Sequence, residues 1–310
     1  MHRNIKQLGI LFFLFSVLFY SACTMPAKGN RDGKRPPFDD QIGVDYYEVR
    51  RSFDNGLSFD TIGFQQEPVW HINFINNDTV SIYSYEVDSM VRFPIYYDHD
   101  SIFHFGTEWF RVKSLDKDSL LFQRLAVQGL RVKEARSNVY MKFYSDHHIR
   151  EVLKTTVEEL RKPTPADTAF IRARVERTNR NPLNLDSIIS ARNGVELTSI
   201  HPSLTVKRHE YSESESLGKS KAYKYLYPEF DIVINKAYKP FYHSFSVFVD
   251  KDGKMTVGKF VTSPEFEESR KRVLQGIIDV YLENMMEITP GSTLGIPHNT
   301  LIMLHVEGKE

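Results

Sequence analysis

The residues of this 310-residue chain that could do chemistry are few, and their spacing defeats each mechanism they suggest. Gly218-Lys219-Ser220 ends like a phosphate-cradling loop, but Glu213 stands where the first glycine is required. Asp250-Lys251-Asp252-Gly253 has the look of a calcium loop. With Gly253 at its sixth position, the first and last ligands would be Phe248 and Lys259, and neither can ligate calcium. His209-Glu210 lacks the second histidine of a zinc-protease helix, and no G-x-S-x-G elbow occurs. His147 and His148 are adjacent, so on a helix they point in different directions and could bind metal only with distant help. Glu267-Glu268 falls in the first turn of an expected helix, where the dipole alone accounts for two acids. These residues assemble no catalytic group, metal site or cofactor site, and the chain is expected not to be an enzyme.

Cys23 is the sole cysteine. Arg3 and Lys6 precede an apolar run over residues 8–20, and Ser21-Ala22-Cys23 follows. The run is shorter than the roughly 20 residues of a membrane-spanning helix, and small residues before a cut mark a secretory signal. The layout resembles a bacterial lipoprotein signal peptide, although Tyr20 stands where leucine is usual. The resemblance implies cleavage after residue 22, acylation of Cys23 and attachment to membrane lipid. It places the protein in a bacterial cell envelope, at the outer membrane rather than the inner. With no second thiol an internal disulfide is excluded, so packing alone must stabilise the fold. Basic and acidic residues balance at 40 each, which leaves no footprint for nucleic acid.

These residues must be carried by elements of two characters. Residues 23–41 read as a lipidated flexible tether. From 42 to 145 the hydrophobic period is two: segments 69–75, 79–86, 101–106, 108–115, 119–127 and 139–145 alternate, with Asn/Asp-rich turns between them. Short strands at such spacing predict an antiparallel meander closed into a barrel or half-barrel with a packed aromatic core and buried Trp70 and Trp109. A helical connector follows over 146–203. It comprises a helix from Asp146 to Arg161 and a second over residues 166–178 with a solvated arginine face. The last third, 204–310, predicts a hairpin turning at Asp252-Gly253 and a helix opened by Ser263-Pro264. The stripe of that helix is Phe266, Val273, Leu274, Ile277, Ile278, Tyr281 and Leu282, and a final strand runs over 300–306.

Two likenesses follow from these segments. Pro228-Glu229-Phe230, the run Ser246-Val247-Phe248-Val249-Asp250-Lys251-Asp252-Gly253, and Pro290-Gly291 with Gly295-Ile296-Pro297 resemble, in that order, the TonB C-terminal domain of Bacteroidota proteins. Ile288 and His298 depart from it, replacing an aromatic and an aliphatic residue. The chain lacks the histidine-bearing membrane helix and long Pro-rich spacer of a true TonB, so force transduction is not implied. A partner-binding module is, engaging a partner strand at a sheet edge. The β region resembles lipocalin-like lipoprotein domains, though Pro68-Val69-Trp70 lacks the lipocalin glycine.

The expected fold is therefore α+β: an N-terminal antiparallel β half-barrel, a helical connector and a TonB-like hairpin–helix–strand module. The expected function is that of a lipid-anchored, non-enzymatic protein-binding module. Phe245, Val247, Val249, Leu301, Met303 and His305 are the candidate partner-binding residues. The alternative is a lipocalin-like carrier of a small apolar ligand.

Overall fold

The computed structural model describes residues 35–210 and 222–310. Cys23, its signal segment and Gly218-Lys219-Ser220 lie outside the described residues. The molecule is β-rich, and among the described residues no helix is long and apolar enough to cross a membrane.

The period-two region folds as a nine-stranded antiparallel sheet. Its strands are β1 (Asp45–Phe53), β2 (His71–Asn76), β3 (Thr79–Ser84), β4 (Ser89–Pro94), β5 (Tyr96–Tyr97), β6 (Ile102–Phe105), β7 (Glu108–Leu115) and β8 (Ser119–Leu125). A separate hairpin of β9 (Val127–Gln128) and β10 (Arg131–Val132) precedes the last member, β11 (Val139–Ser145), which inserts between β1 and β8. The spatial order is β4-β3-β2-β1-β11-β8-β7-β6-β5. Its two edges, β4 and β5, are neighbours in sequence with Ile95 alone between them, so one bent segment supplies both rims of a nearly closed barrel.

Alternation drives the core, because every second side chain faces inward. Phe74, Phe103, Phe105, Phe110, Phe122 and Phe143 are inaccessible or nearly so. Their rings touch in sequence: Phe105–Phe110 centroids lie 4.6 Å apart, Phe110–Phe122 5.7 Å and Phe122–Phe143 5.4 Å. Both tryptophans differ from expectation in being only half-buried. Trp70 packs edge-on to Phe110, whereas Trp109 points away from the interior and lies 4.9 Å from the His104 ring.

The supposed tether joins the fold earlier than residue 42. Phe38 is fully buried, stacked on Phe74 at 4.4 Å and edge-on to Phe103 at 5.1 Å. Arg35 pairs with Asp78 at 2.6 Å and lies over the Phe103 ring. The composition of this stretch is that of a linker, but one large aromatic is enough to dock it.

The single helix expected over residues 146–161 is broken. A π-helical turn at His148–Val152 gives way at Lys154, whose φ is +52°, and a short helix α1 (Val157–Arg161) restarts behind a Thr156 cap. Helix α2 (Pro165–Arg180) has a capping box: the Thr164 hydroxyl accepts from the Asp167 amide, and the Asp167 carboxylate accepts from the Thr164 amide. Ile171 and Val175 on α2 join Phe59 and Ile189 in a small core of their own, with Leu294 and Ile296 packed against it. The connector is thus a wedge between the two sheets.

After β12 (Glu196–Ser199) come β13 (Leu204–Arg208), helix α3 (Tyr223–Leu226), β14 (Glu229–Asn235), β15 (Phe241–Val249) and β16 (Met255–Phe260). Helix α4 (Glu267–Ile277) continues as a π-helical turn to Leu282. Then follow β17 (Met286–Thr289), β18 (Ser292–Thr293), β19 (Ile296–Pro297) and β20 (Thr300–Lys309). The main sheet is β13-β14-β20-β15-β16, with β14 and β20 parallel and the other pairs antiparallel. Gly253, at φ +86°, makes the expected hairpin turn between β15 and β16. Five of the seven expected stripe residues reach the core: Leu274, Ile277, Ile278 and Leu282 are buried and Tyr281 packs against them, while Phe266 and Val273 are exposed. Phe266 belongs to a 3-10 turn ahead of α4 and not to the helix itself, so the stripe begins later than counted, and the π turn keeps Ile278 and Leu282 on the buried side.

His298, the departure in the last turn, is fully buried. Its Nδ1 lies 3.1 Å from the Asn299 carbonyl oxygen, which can only accept, and Nε2 lies 3.0 Å from the Thr293 hydroxyl, so the neutral ring donates from Nδ1. Burial pushes the His298 pKa below its ordinary value of 6.5. The unfolded chain then binds more protons than the folded one below that pH, so stability is complete above 6.5 and declines as the pH falls towards the lowered folded value. Urea unfolding as a function of pH should show this decline, and His298→Gln should flatten it.

Candidate functional site

The parallel pairing of β14 with β20 decides what the C-terminal sheet can do. Phe230, Ile232 and Ile234 on β14, Ile302, Leu304 and Val306 on β20, and Phe245, Val247 and Val249 on β15 pack towards α4. The intervening residues therefore face the other way. On that outer face Glu229 pairs in register with Met303 and Asp231 with His305, while Ser244 and Ser246 on β15 stand opposite His305 and Met303.

One end of this face is roofed. Residues 185–190, helix α3 and Ile62 from the barrel's β1–β2 connection close over Leu301, Met303, Glu229 and Ser246, leaving a cleft of about 360 Å³. The roof is pinned from several sides. The Ser190 hydroxyl donates to the Leu226 carbonyl at 2.8 Å, and Arg208 donates to the Lys224 carbonyl at 2.5 Å. The Tyr225 hydroxyl accepts from the Gln65 amide at 3.1 Å. Burial raises the Tyr225 pKa above its ordinary value, which keeps that hydroxyl protonated. The guanidinium of Arg192 lies over the Tyr225 ring and pairs with Glu67.

At the open end of the same face is a polar cluster. His209 follows β13 and is held there by its backbone amide, which donates to the Glu229 carbonyl at 2.9 Å. Its Nδ1 lies 2.8 Å from Oδ2 of Asp231. His305 has Nε2 3.2 Å from Oε2 of Glu229 and Nδ1 2.9 Å from the Ser244 hydroxyl. The two imidazoles are 5.3 Å apart. One ligating atom from each of His209, Asp231 and His305 lies within 4.8 Å of the others, the one such group of three among the described residues.

The structure divides the six residues expected to bind a partner. Phe245, Val247 and Val249 are core residues under α4, and β15 and β20 are both flanked within the sheet. Neither strand is an edge, because β14 pairs along β20 and β13 then covers β14; the edges are β13 and β16. Leu301 and Met303 do reach a surface, as the cleft floor, and His305 joins the polar cluster. His147 sits 3.7 Å from Asp118 and His148 against Tyr144, and neither joins a group of three ligating side chains among the described residues. Asp231 and Ser244 carry no expectation from the sequence, and Glu229 enters there only through the Pro228-Glu229-Phe230 likeness, not as a site residue. Alternation shows that Glu229 and Asp231 oppose Phe230 and Ile232, but only the parallel pairing brings them to His305. No protein-family model matches the chain, and no curated protein sequence matches it.

Proposed function

We propose that this chain is a lipid-anchored, non-enzymatic binding protein of the bacterial cell envelope, and that the cleft on the outer face of the C-terminal sheet receives an apolar segment of a partner protein. The cleft carries the reading. Its floor of Leu301 and Met303 and walls of Ile188 and Leu226 are apolar, and polar groups are confined to Glu229, Ser190, Ser246 and the tyrosines. Its size falls at the lower end of the few hundred cubic ångströms of ligand sites. Two lining residues, Ile62 and Tyr227, stay 48% and 52% exposed, so the apolar surface spreads past the cavity onto a rim. An anchor pocket inside an apolar rim suits a protein contact better than an engulfed small molecule. A carrier role for the barrel is disfavoured by its interior, where phenylalanine rings in contact occupy the space a ligand would need. The TonB-type likeness agrees with partner binding, although a strand-pairing partner would have to use β13 or β16.

Photo-crosslinking in intact cells tests this reading. A photoreactive residue at Met303, on the cleft floor, is expected to capture one discrete envelope protein. The same group at Tyr238, which is 91% exposed and outside the cleft, is expected to capture none. In a Cys23→Ala background the Met303 product should fall sharply, because the protein is no longer held at the membrane. Equal labelling from both positions would refute a cleft-specific partner, and an unchanged product in Cys23→Ala would refute the anchor.

A further inference from the structure

We infer that His209, Asp231 and His305 form a zinc-binding site that ties the edge strand β13 to β14 and β20. Two imidazoles and a carboxylate are a donor set that suits a borderline divalent ion of the zinc type. Their ligating atoms already lie within 4.8 Å of one another. A tetrahedral site with bonds near 2.1 Å needs separations of about 3.4 Å, a contraction that rotamer changes of three side chains supply. None of the three is sealed from solvent: their side chains are 25%, 45% and 20% exposed, so an ion has a way in.

The surroundings are those a metal-binding histidine needs. When Nε2 of His305 is the ligand, the opposite nitrogen requires a partner to fix the ring, and the Ser244 hydroxyl stands 2.9 Å from Nδ1. Glu229, whose carboxylate is 3.2 Å from that Nε2, gives up this contact as the metal enters and is placed to follow as a fourth ligand. Asp231 and His305 come from the adjacent strands β14 and β20, and His209 directly follows β13 on the other side of β14. An ion held by all of them closes long loops of chain and fixes the end of an edge strand that is otherwise paired on one side only. Because Glu229 also lines the cleft, the ion would set the position of one cleft wall. The site stands independently of any partner in that cleft.

Thermal unfolding of the full chain with added Zn²⁺, compared with the chelated protein, provides the test. Zinc a hundredfold above its dissociation constant should raise the melting temperature by roughly 5–10 °C. Isothermal titration should give one equivalent. Ser244→Ala should weaken binding about 10- to 100-fold, and His209→Gln with Asp231→Asn should abolish the shift. His99→Gln, in an exposed Asp98-His99-Asp100 turn elsewhere, should leave it intact. Cobalt added to the unmodified chain gives a readout that needs no variant: intense visible bands of a four-coordinate site are expected. Absence of a zinc shift, its persistence in the double variant, or a pale spectrum like that of aqueous cobalt would each overturn the assignment.

Discussion

Replacing Asp167 by alanine is expected to lower the unfolding free energy by about 3–5 kcal/mol, the cost of breaking a buried ion pair and leaving its partner uncompensated. The Asp167 side chain has no solvent exposure. One oxygen, Oδ2, accepts from Arg50 at 2.6 Å and from the Thr164 amide and hydroxyl at 2.9 and 2.8 Å. The other, Oδ1, accepts from the Ser58 amide at 2.8 Å and from Arg50 at 3.2 Å. A single carboxylate thereby caps α2, orders the turn after β1 and joins the connector to the barrel. Burial acts to raise its pKa, but the donors from Arg50, Ser58 and Thr164 together outweigh burial and hold it below the ordinary 3.8. Its contribution is therefore fully present above pH 3.8 and is lost as the pH falls through the lower folded value. Urea titrations should show a reduced midpoint with an unchanged slope in Asp167→Ala, and the variant should lose the acid-limb dependence over that window. Asp167→Asn keeps the shape but turns an amide nitrogen towards donors, so it should fall between the two proteins.

The contrast between Asp167 and His305 shows how far the sequence could be read. Asp167 lies three residues after Thr164 and two after Pro165, so the helix start is a local matter and the expected boundaries hold to within two residues. Six of the nine barrel strands, β2, β3, β6, β7, β8 and β11, are legible for the same reason, since alternation and Asn/Asp turns act within ten residues, whereas β1, β4 and β5 are not among the expected segments. What stayed hidden depended on pairing between distant segments. Nothing local says that residues 229–235 run parallel to the last strand rather than leaving it as an edge, and that single choice covers the side of β20 away from β15 while gathering His209, Asp231 and His305. The same limit applies to Phe38, whose flanking Pro, Gly and Lys suggest a tether while its ring fits against Phe74.

Gly63→Ala is expected to cost about 3 kcal/mol or more and to loosen the cleft as well. Gly63 has φ +94°, a conformation that costs a residue with a side chain roughly 1–2 kcal/mol. Space is the larger problem. A Cβ there would sit 2.4 Å from the carbonyl oxygen and 2.9 Å from the amide nitrogen of Ser190, and both are backbone atoms that cannot rotate aside. The turn would have to retreat, breaking the hydrogen bond from the Ser190 amide to the Ile62 carbonyl, now 3.0 Å. Ile62 and Ser190 both line the cleft, so that retreat opens the cleft where barrel and connector meet. Gly56→Ala separates the two causes. Gly56 also has positive φ, at +80°, but nothing lies within 4 Å of its added Cβ, so the substitution should cost only the conformational part. Chemical denaturation should thus show a markedly larger loss for Gly63→Ala than for Gly56→Ala, and crosslinking from Met303 should weaken in the first variant alone. Equal losses would mean that the close approach of Gly63 to Ser190 contributes nothing, and the cleft wall would have to be held by the Tyr225 and Leu226 contacts alone.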